Sequence, residues 1–200
     1  MGHVFKKLFS NSEGIGIPLD IQTLIRAILN VDSTFLFENP VVPEDTEGVT
    51  VYLERTFCYE LYKQWTLLLD NKEVRLSPEI DKELWKIYNN GNSCSKCYPD
   101  FVLHNSQLDS SKQYIVAEVK RESATVDKIK NDLKKLDFML SDDFKFNGNN
   151  AKFSNAAFIY IGREAKSMPK IDIQPYNNVE NIWCLCYNGE EVNCTRLNEI

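Results

Sequence analysis

The residues of this chain best suited to chemistry lie in two short segments. They are Tyr98-Pro99-Asp100-Phe101-Val102-Leu103-His104 and Tyr114-Ile115-Val116-Ala117-Glu118-Val119-Lys120. Strand side chains alternate, so Asp100, Val102 and His104 share one face of the first segment, and Val116, Glu118 and Lys120 share one face of the second. Pairing the two as a hairpin brings Asp100 and Glu118 together. An apolar run that ends in Glu-Val-Lys is anomalous, because an acid and a base sit badly where Ile115, Val116 and Ala117 are buried. Two carboxylates at a strand end form a hard-oxygen pair suited to Mg²⁺, which binds through one or two carboxylates and keeps several waters. A lysine two positions further on can orient, or help to deprotonate, a metal-bound water attacking phosphorus. Glu60, half-buried on the preceding helix, can supply a third acid. His104 reads first as an interior residue, with catalysis as the alternative.

The elements that must hold these residues follow from periodicity. Ile21, Leu24, Ile25 and Ile28 fall at helical spacing after Pro18 and Asp20, which predicts a helix over 19–30. Asn39 to Gly48, with two prolines and three acids, reads as a loop. A longer helix is expected over 51–70, with Phe57, Leu61, Trp65 and Leu68 as its apolar stripe and Glu60 beside it. Ser77-Pro78 is a helix-start signal that predicts a short helix over 78–88, followed by a polar loop over 89–98. Strands are expected at 101–104 and 113–120. Ser123 or Thr125 can cap a helix on which Val126, Ile129, Leu133, Leu136 and Leu140 recur at three and four, with lysines on the other face. A polar break over 141–150 leads to an apolar run at 156–161 that suits a buried strand. A last hairpin is expected from strands at 181–187 and 192–197 around Asn188-Gly189. The succession predicts an α/β protein with a mixed sheet.

These residues resemble the PD-(D/E)XK nuclease superfamily, the restriction-endonuclease-like fold. The similarity rests on Pro99-Asp100, then Glu118-x-Lys120 eighteen positions on, with an upstream helical Glu60 and a following amphipathic helix. It covers about residues 51–161. It implies a restriction-endonuclease-like core, a central mixed β-sheet flanked by α-helices, within a single domain over 1–200. Residues 1–50 are then an N-terminal helical extension and 162–200 C-terminal strands. It also implies a metal-dependent nuclease hydrolysing phosphodiester bonds in nucleic acid, with a DNA endonuclease expected. The alternative is a catalytically inactive nucleic-acid or protein interaction module on the same fold. The resemblance assigns Asp100 and Glu118 to Mg²⁺ or Mn²⁺, offers the Val119 carbonyl to complete the shell, and has Lys120 position the nucleophilic water. Glu60 looks like the acid on the first core helix, and Glu79 in Pro78-Glu79-Ile80-Asp81-Lys82 competes for that place. Small single-domain members commonly pair as dimers, so a homodimer or a protein partner is compatible with it. A small-molecule or structural role on an unrelated fold is the remaining reading, selected if Asp100 and Glu118 lie far apart.

Charge bears on the partner. The 200 residues carry a formal net charge of −6, which argues against a protein whose main activity is coating nucleic acid. Yet Lys112 to Lys135 holds seven basic residues against four acidic ones, so positive charge is concentrated around the motif. Arg121, Lys128, Lys130, Lys134 and Lys135 are the candidate phosphate contacts, with a plain solvated helix face as the alternative. No run approaches the apolar length of a membrane span, so no membrane partner is expected. Met1 to Lys7 shows no apolar run behind it and no small-residue cleavage site, so the cytoplasm is the expected compartment. There the six cysteines are expected as packed thiols. The alternative is a metal site from Cys94-Ser-Lys-Cys97 with Cys184, Cys186 and Cys194.

Overall fold

The structure of the protein is a computed structural model that describes residues 16–37, 47–70, 73–78, 99–105, 113–146 and 149–200. Helix α1 (Leu19–Leu29) starts directly after Pro18 and buries Ile21, Leu24, Ile25 and Ile28, as its periodicity predicts. A single turn, α2 (Thr34–Phe37), follows. Helix α3 (Glu47–Leu67) begins four residues before the expected start and ends three before the expected end. The last turn tightens as Leu68 N–H bonds the Trp65 carbonyl at 3.0 Å. The expected loop at 39–48 otherwise lies outside the described residues.

Ser77-Pro78, read above as a helix start, is instead the end of a strand, β1 (Val74–Pro78). Within the described residues β1 pairs only with β2 (Phe101–Asn105), which puts it at the edge of the sheet. A proline is tolerated there because an edge strand can lack one N–H without leaving a neighbour unpaired. The rest of the helix expected over 78–88, and the loop over 89–98, lie outside the described residues. Strand β2 runs antiparallel to β3 (Gln113–Arg121), with Phe101 opposite Ala117 and Val102 opposite Val116. The chain then crosses over through α4 (Val126–Met139), whose N-cap Thr125 side chain accepts from Lys128 N–H. Val126 was expected on the apolar stripe of α4, but it is exposed, and Met139 joins Ile129, Leu133 and Leu136 inside.

A two-stranded ladder, β4 (Lys145–Phe146) with β5 (Asn149–Asn150), occupies the polar break. Strand β6 (Asn155–Ile161) then returns parallel to β3, which the helical crossover makes possible. Strand β7 (Ile182–Tyr187) lies parallel to β6, and β8 (Val192–Arg196) folds back on β7 through a turn with Gly189 at φ 96°. The result is an α/β protein with a six-stranded mixed sheet in the order β1-β2-β3-β6-β7-β8.

Alternation along the strands separates two cores. On one face Phe101, Leu103, Ile115, Ala117, Val119, Ile159 and Leu185 pack with Ile21 and Leu24 of α1 and with Phe57, Leu61 and Trp65 of α3. On the other Val102, Val116, Phe158, Ile182 and Cys184 pack with Ile129, Leu133 and Leu136 of α4. Helices thus cover both faces, and β3 lies within the sheet. At the ends of β3 and β6 the Glu122 carboxylate accepts from Glu164 N–H at 2.7 Å, and the Tyr160 hydroxyl donates to the Glu122 carbonyl at 3.0 Å. Gly162, at φ +153°, makes room: a Cβ on it would lie 2.3 Å from Glu122 Cδ. Gly162→Ala should therefore displace Glu122, strain the turn and cost about 1–3 kcal/mol. A lowered urea midpoint at unchanged slope is the expected result.

Candidate active site

Antiparallel pairing of β2 with β3 sets the site. Asp100 precedes β2 and reaches the strand opposite, where its Oδ2 accepts the backbone N–H of Val119 at 2.7 Å. Glu118 and Lys120 point to the α4 face with Val116, as alternation requires. Glu118 is 2% exposed, so its carboxylate is out of reach of bulk water and must be compensated by protein groups. Lys135 supplies one, with Nζ 3.3 Å from Glu118 Oε1. Lys135 also ion-pairs with Asp132 Oδ1 one turn earlier on α4. The other oxygen of Asp132 lies 3.2 Å from Lys120 Nζ as an ion pair, though outside hydrogen-bonding angle.

From the opposite layer, Glu54 of α3 places Oε1 3.3 Å from Lys120 Nζ and accepts the backbone N–H of Arg121. Lys120 also donates to the Val119 carbonyl at 2.9 Å. Four carboxylates and two ammoniums thus meet at the end of β3. A cleft of about 190 Å³ runs up to them, lined by Glu54, Arg55, Tyr59 and Asp100 among others.

The electrostatics follow from burial and crowding. Burial, then the neighbouring Asp100 and Asp132, push the Glu118 carboxyl well above the ordinary carboxylate range. Burial also raises Asp100, against the opposing pull of Lys120 and the Val119 N–H, and raises Glu54. For Lys120 burial acts to lower the value, but Asp132, Glu54, Asp100 and Glu118 outweigh it and hold the ammonium above the ordinary lysine value. Lys135 behaves likewise through Glu118 and Asp132. Both lysines therefore act as fixed cations and donors.

The structure brings Asp100, Glu118, Val119, Lys120 and Lys135 together. It does not bring Glu60 to them. That carboxylate accepts from Lys63 Nζ at 3.0 Å and from Gln64 Nε2 at 2.6 Å, and the Gln64 bond leads in lowering its pKa. Glu60 lies six residues past Glu54, which turns it about 120° around the helix and carries it about 9 Å along the axis. The acid from the first long helix is Glu54. Its signal was present in the sequence, since the stripe Phe57, Leu61, Trp65 continued back by three positions ends on Glu54. Glu79 lies outside the described residues.

Lys128 and Lys134 are exposed on α4 and Lys130 is half-buried; Arg121 is half-buried at the end of β3. Lys135, expected with the solvated lysines, instead turns inward. His104 is occupied elsewhere: Nδ1 donates to the Asn105 carbonyl at 2.6 Å, and Nε2 is hydrogen-bonded with Ser77 Oγ at 2.9 Å. Cys184, Cys186 and Cys194 are free thiols, and burial pushes Cys186 and Cys194 up to about 12. They are packed hydrophobes, protonated at neutral pH. Cys94 and Cys97 lie outside the described residues. Among the described residues no three His, Cys, Asp or Glu side chains converge to hold a metal ion, and no helix is long and apolar enough to cross a membrane. In comparisons with known proteins, no family model, curated protein or solved structure matches this chain.

Glu118 and Asp100 bind protons more tightly in the folded chain than in the unfolded one. Their contribution to stability is complete below the ordinary carboxylate range and is lost as pH rises through their raised folded values. Without divalent cations, Tm should fall as pH rises above the ordinary carboxylate range, and Glu118→Gln should flatten that slope. Thermal melts across that window, with an equal slope in both proteins as the contrary result, check this.

Proposed function

We propose that this protein is a metal-dependent nuclease of the restriction-endonuclease-like class, acting on phosphodiester bonds and most simply on DNA. The observation that carries the reading is the Asp100 carboxylate bonded to Val119 N–H, which sets it against Glu118 with Lys120 next along the strand. The element order supports it too: a helix bearing an inward acid, the β2–β3 pair and a following amphipathic helix are the parts on which the resemblance rests.

The donor set fits a hard divalent cation. Four carboxylates face two ammoniums, so the fully ionised cluster carries two uncompensated negative charges, the charge of one Mg²⁺ or Mn²⁺. Asp100, Glu118 and the Val119 carbonyl would hold it, and such an ion supplies Lewis acidity and a more acidic bound water. The protein's part is positioning and charge. Lys120, fixed as an ammonium between Glu54 and Asp132, is a donor to the attacking water or the scissile phosphate rather than a proton acceptor. Glu54 holds Lys120 from the α3 side. Arg121, Lys128, Lys130 and Lys134 supply positive charge for the flanking phosphates.

A second reading is favoured by one observation. The net charge of −6, with Lys120 and Lys135 already paired to carboxylates, suits a non-cleaving nucleic-acid or protein interaction module on the same fold.

Purified protein incubated with supercoiled plasmid, linear duplex, single-stranded DNA and RNA, each with Mg²⁺, Mn²⁺ or EDTA, separates the two. Cutting that EDTA abolishes is the expected result. Lys120→Ala should reduce it by roughly 100-fold or more, and Glu54→Gln should reduce it substantially. Glu60→Gln should stay within about twofold of wild type, as expected of an exposed helix pair. Cutting by Lys120→Ala at the wild-type rate would overturn the assignment. A folded protein that neither cuts nor binds Mn²⁺ would select the interaction module.

A further inference from the structure

We infer that the site is built for a single divalent cation, with the Lys135 ammonium standing as a fixed second cation beside Glu118. This rests on the nuclease reading and refines it to a metal count. Glu118 has one oxygen 3.3 Å from Lys135 Nζ, and Lys135 is itself pinned by Asp132, a side chain only 6% exposed. Asp132 is fixed in turn because its second oxygen faces Lys120 Nζ at 3.2 Å. The i, i+3 spacing of Asp132 and Lys135 on α4 holds the pair on one face of the helix. The ammonium therefore cannot swing into solvent without stripping the buried Glu118 carboxylate of its ion pair, which is costly.

The charge balance gives the count. With Glu54, Asp100, Glu118 and Asp132 all ionised, as metal ligation requires, they face Lys120 and Lys135 with a deficit of two positive charges. One divalent ion fills that deficit, and a second would leave the buried cluster with excess positive charge. If Lys135 is removed the deficit becomes three, and the space beside Glu118 loses its cation. If Asp132 and Lys135 are removed together the deficit returns to two, and only one ion is again called for. Removing Asp132 alone reduces the deficit to one and weakens the hold on the first ion. The two single removals shift the deficit in opposite directions and the double removal cancels them, and none of this depends on turnover.

The test is a Mn²⁺ titration of the full chain, followed by calorimetry and by the paramagnetic signal of free Mn²⁺. Folding of each variant is checked by circular dichroism. Wild type should bind one ion per chain, Lys135→Met two, and the Asp132→Asn/Lys135→Met pair one. Asp132→Asn should bind a single ion roughly tenfold more weakly. Should Lys135→Met not fold, Lys135→Gln takes its place, and the wild-type count still decides. Two ions in the wild type would overturn the inference and leave the nuclease reading standing, as would one ion in a folded Lys135→Met or Lys135→Gln protein. No ion in the wild type would instead overturn the nuclease reading itself.

Discussion

The Lys120 ammonium is the constraint around which the rest is arranged. It stands at the end of an interior strand and is met by Glu54 from the helices of one layer and by Asp132 from the helix of the other. A lysine with 18% of its side chain exposed would ordinarily be a liability. Here it joins two layers that otherwise touch the sheet on opposite faces. Because each partner carboxylate is itself half-buried or buried, removing Lys120 would take the ion-pair partner from Glu54 and leave Asp132 to Lys135. The two apolar cores supply the rigidity that such a junction needs, since Phe57, Leu61 and Trp65 fix the helix that carries Glu54, and Ile129, Leu133 and Leu136 fix the one that carries Asp132.

Much of this was legible in the sequence, for identifiable reasons. Period-two alternation placed Glu118 and Lys120 on one face of a strand, and antiparallel pairing placed Asp100 opposite them. The helix over 126–139 declared itself through its apolar spacing and its Thr125 cap. What was missed was decided by tertiary contacts. Pro78 resembles a helix start in isolation, and only its place at a sheet edge makes it a strand end. Glu60 and Glu54 are both acids on one helix, and the choice depends on which face meets the sheet. Lys135 reads as one more lysine on a solvated face until the buried Glu118 draws it in. The resemblance and the activity it implies rest on the motif and the order of elements, because comparison with known proteins adds no relative.

The cluster also shows where local preference gives way. Glu118 among Val116, Ala117 and Val119 opposes the pattern of every neighbouring position on β3. A chain selected for stability alone would place an apolar residue there, so the acid marks the spot at which apolar packing gives way to buried charge. Compensation comes from other parts of the chain: Lys135 of α4 pairs with Glu118, and Glu54 of α3 pairs with the neighbouring Lys120.

That separation in sequence governs how the chain can acquire its structure. Strands β3 and β6 are parallel neighbours, and they can zip together only after the intervening α4 has turned back across the sheet. Pairings of this kind are non-local, and the entropy of closing the loop is lost before any contact rewards it, so they form late in folding. Until α4 docks, Glu118 and Asp132 remain hydrated and cost nothing. The burial of the charged groups is thus postponed to the step at which their partners arrive, and the nascent chain need not carry an unpaired charge into a half-formed core.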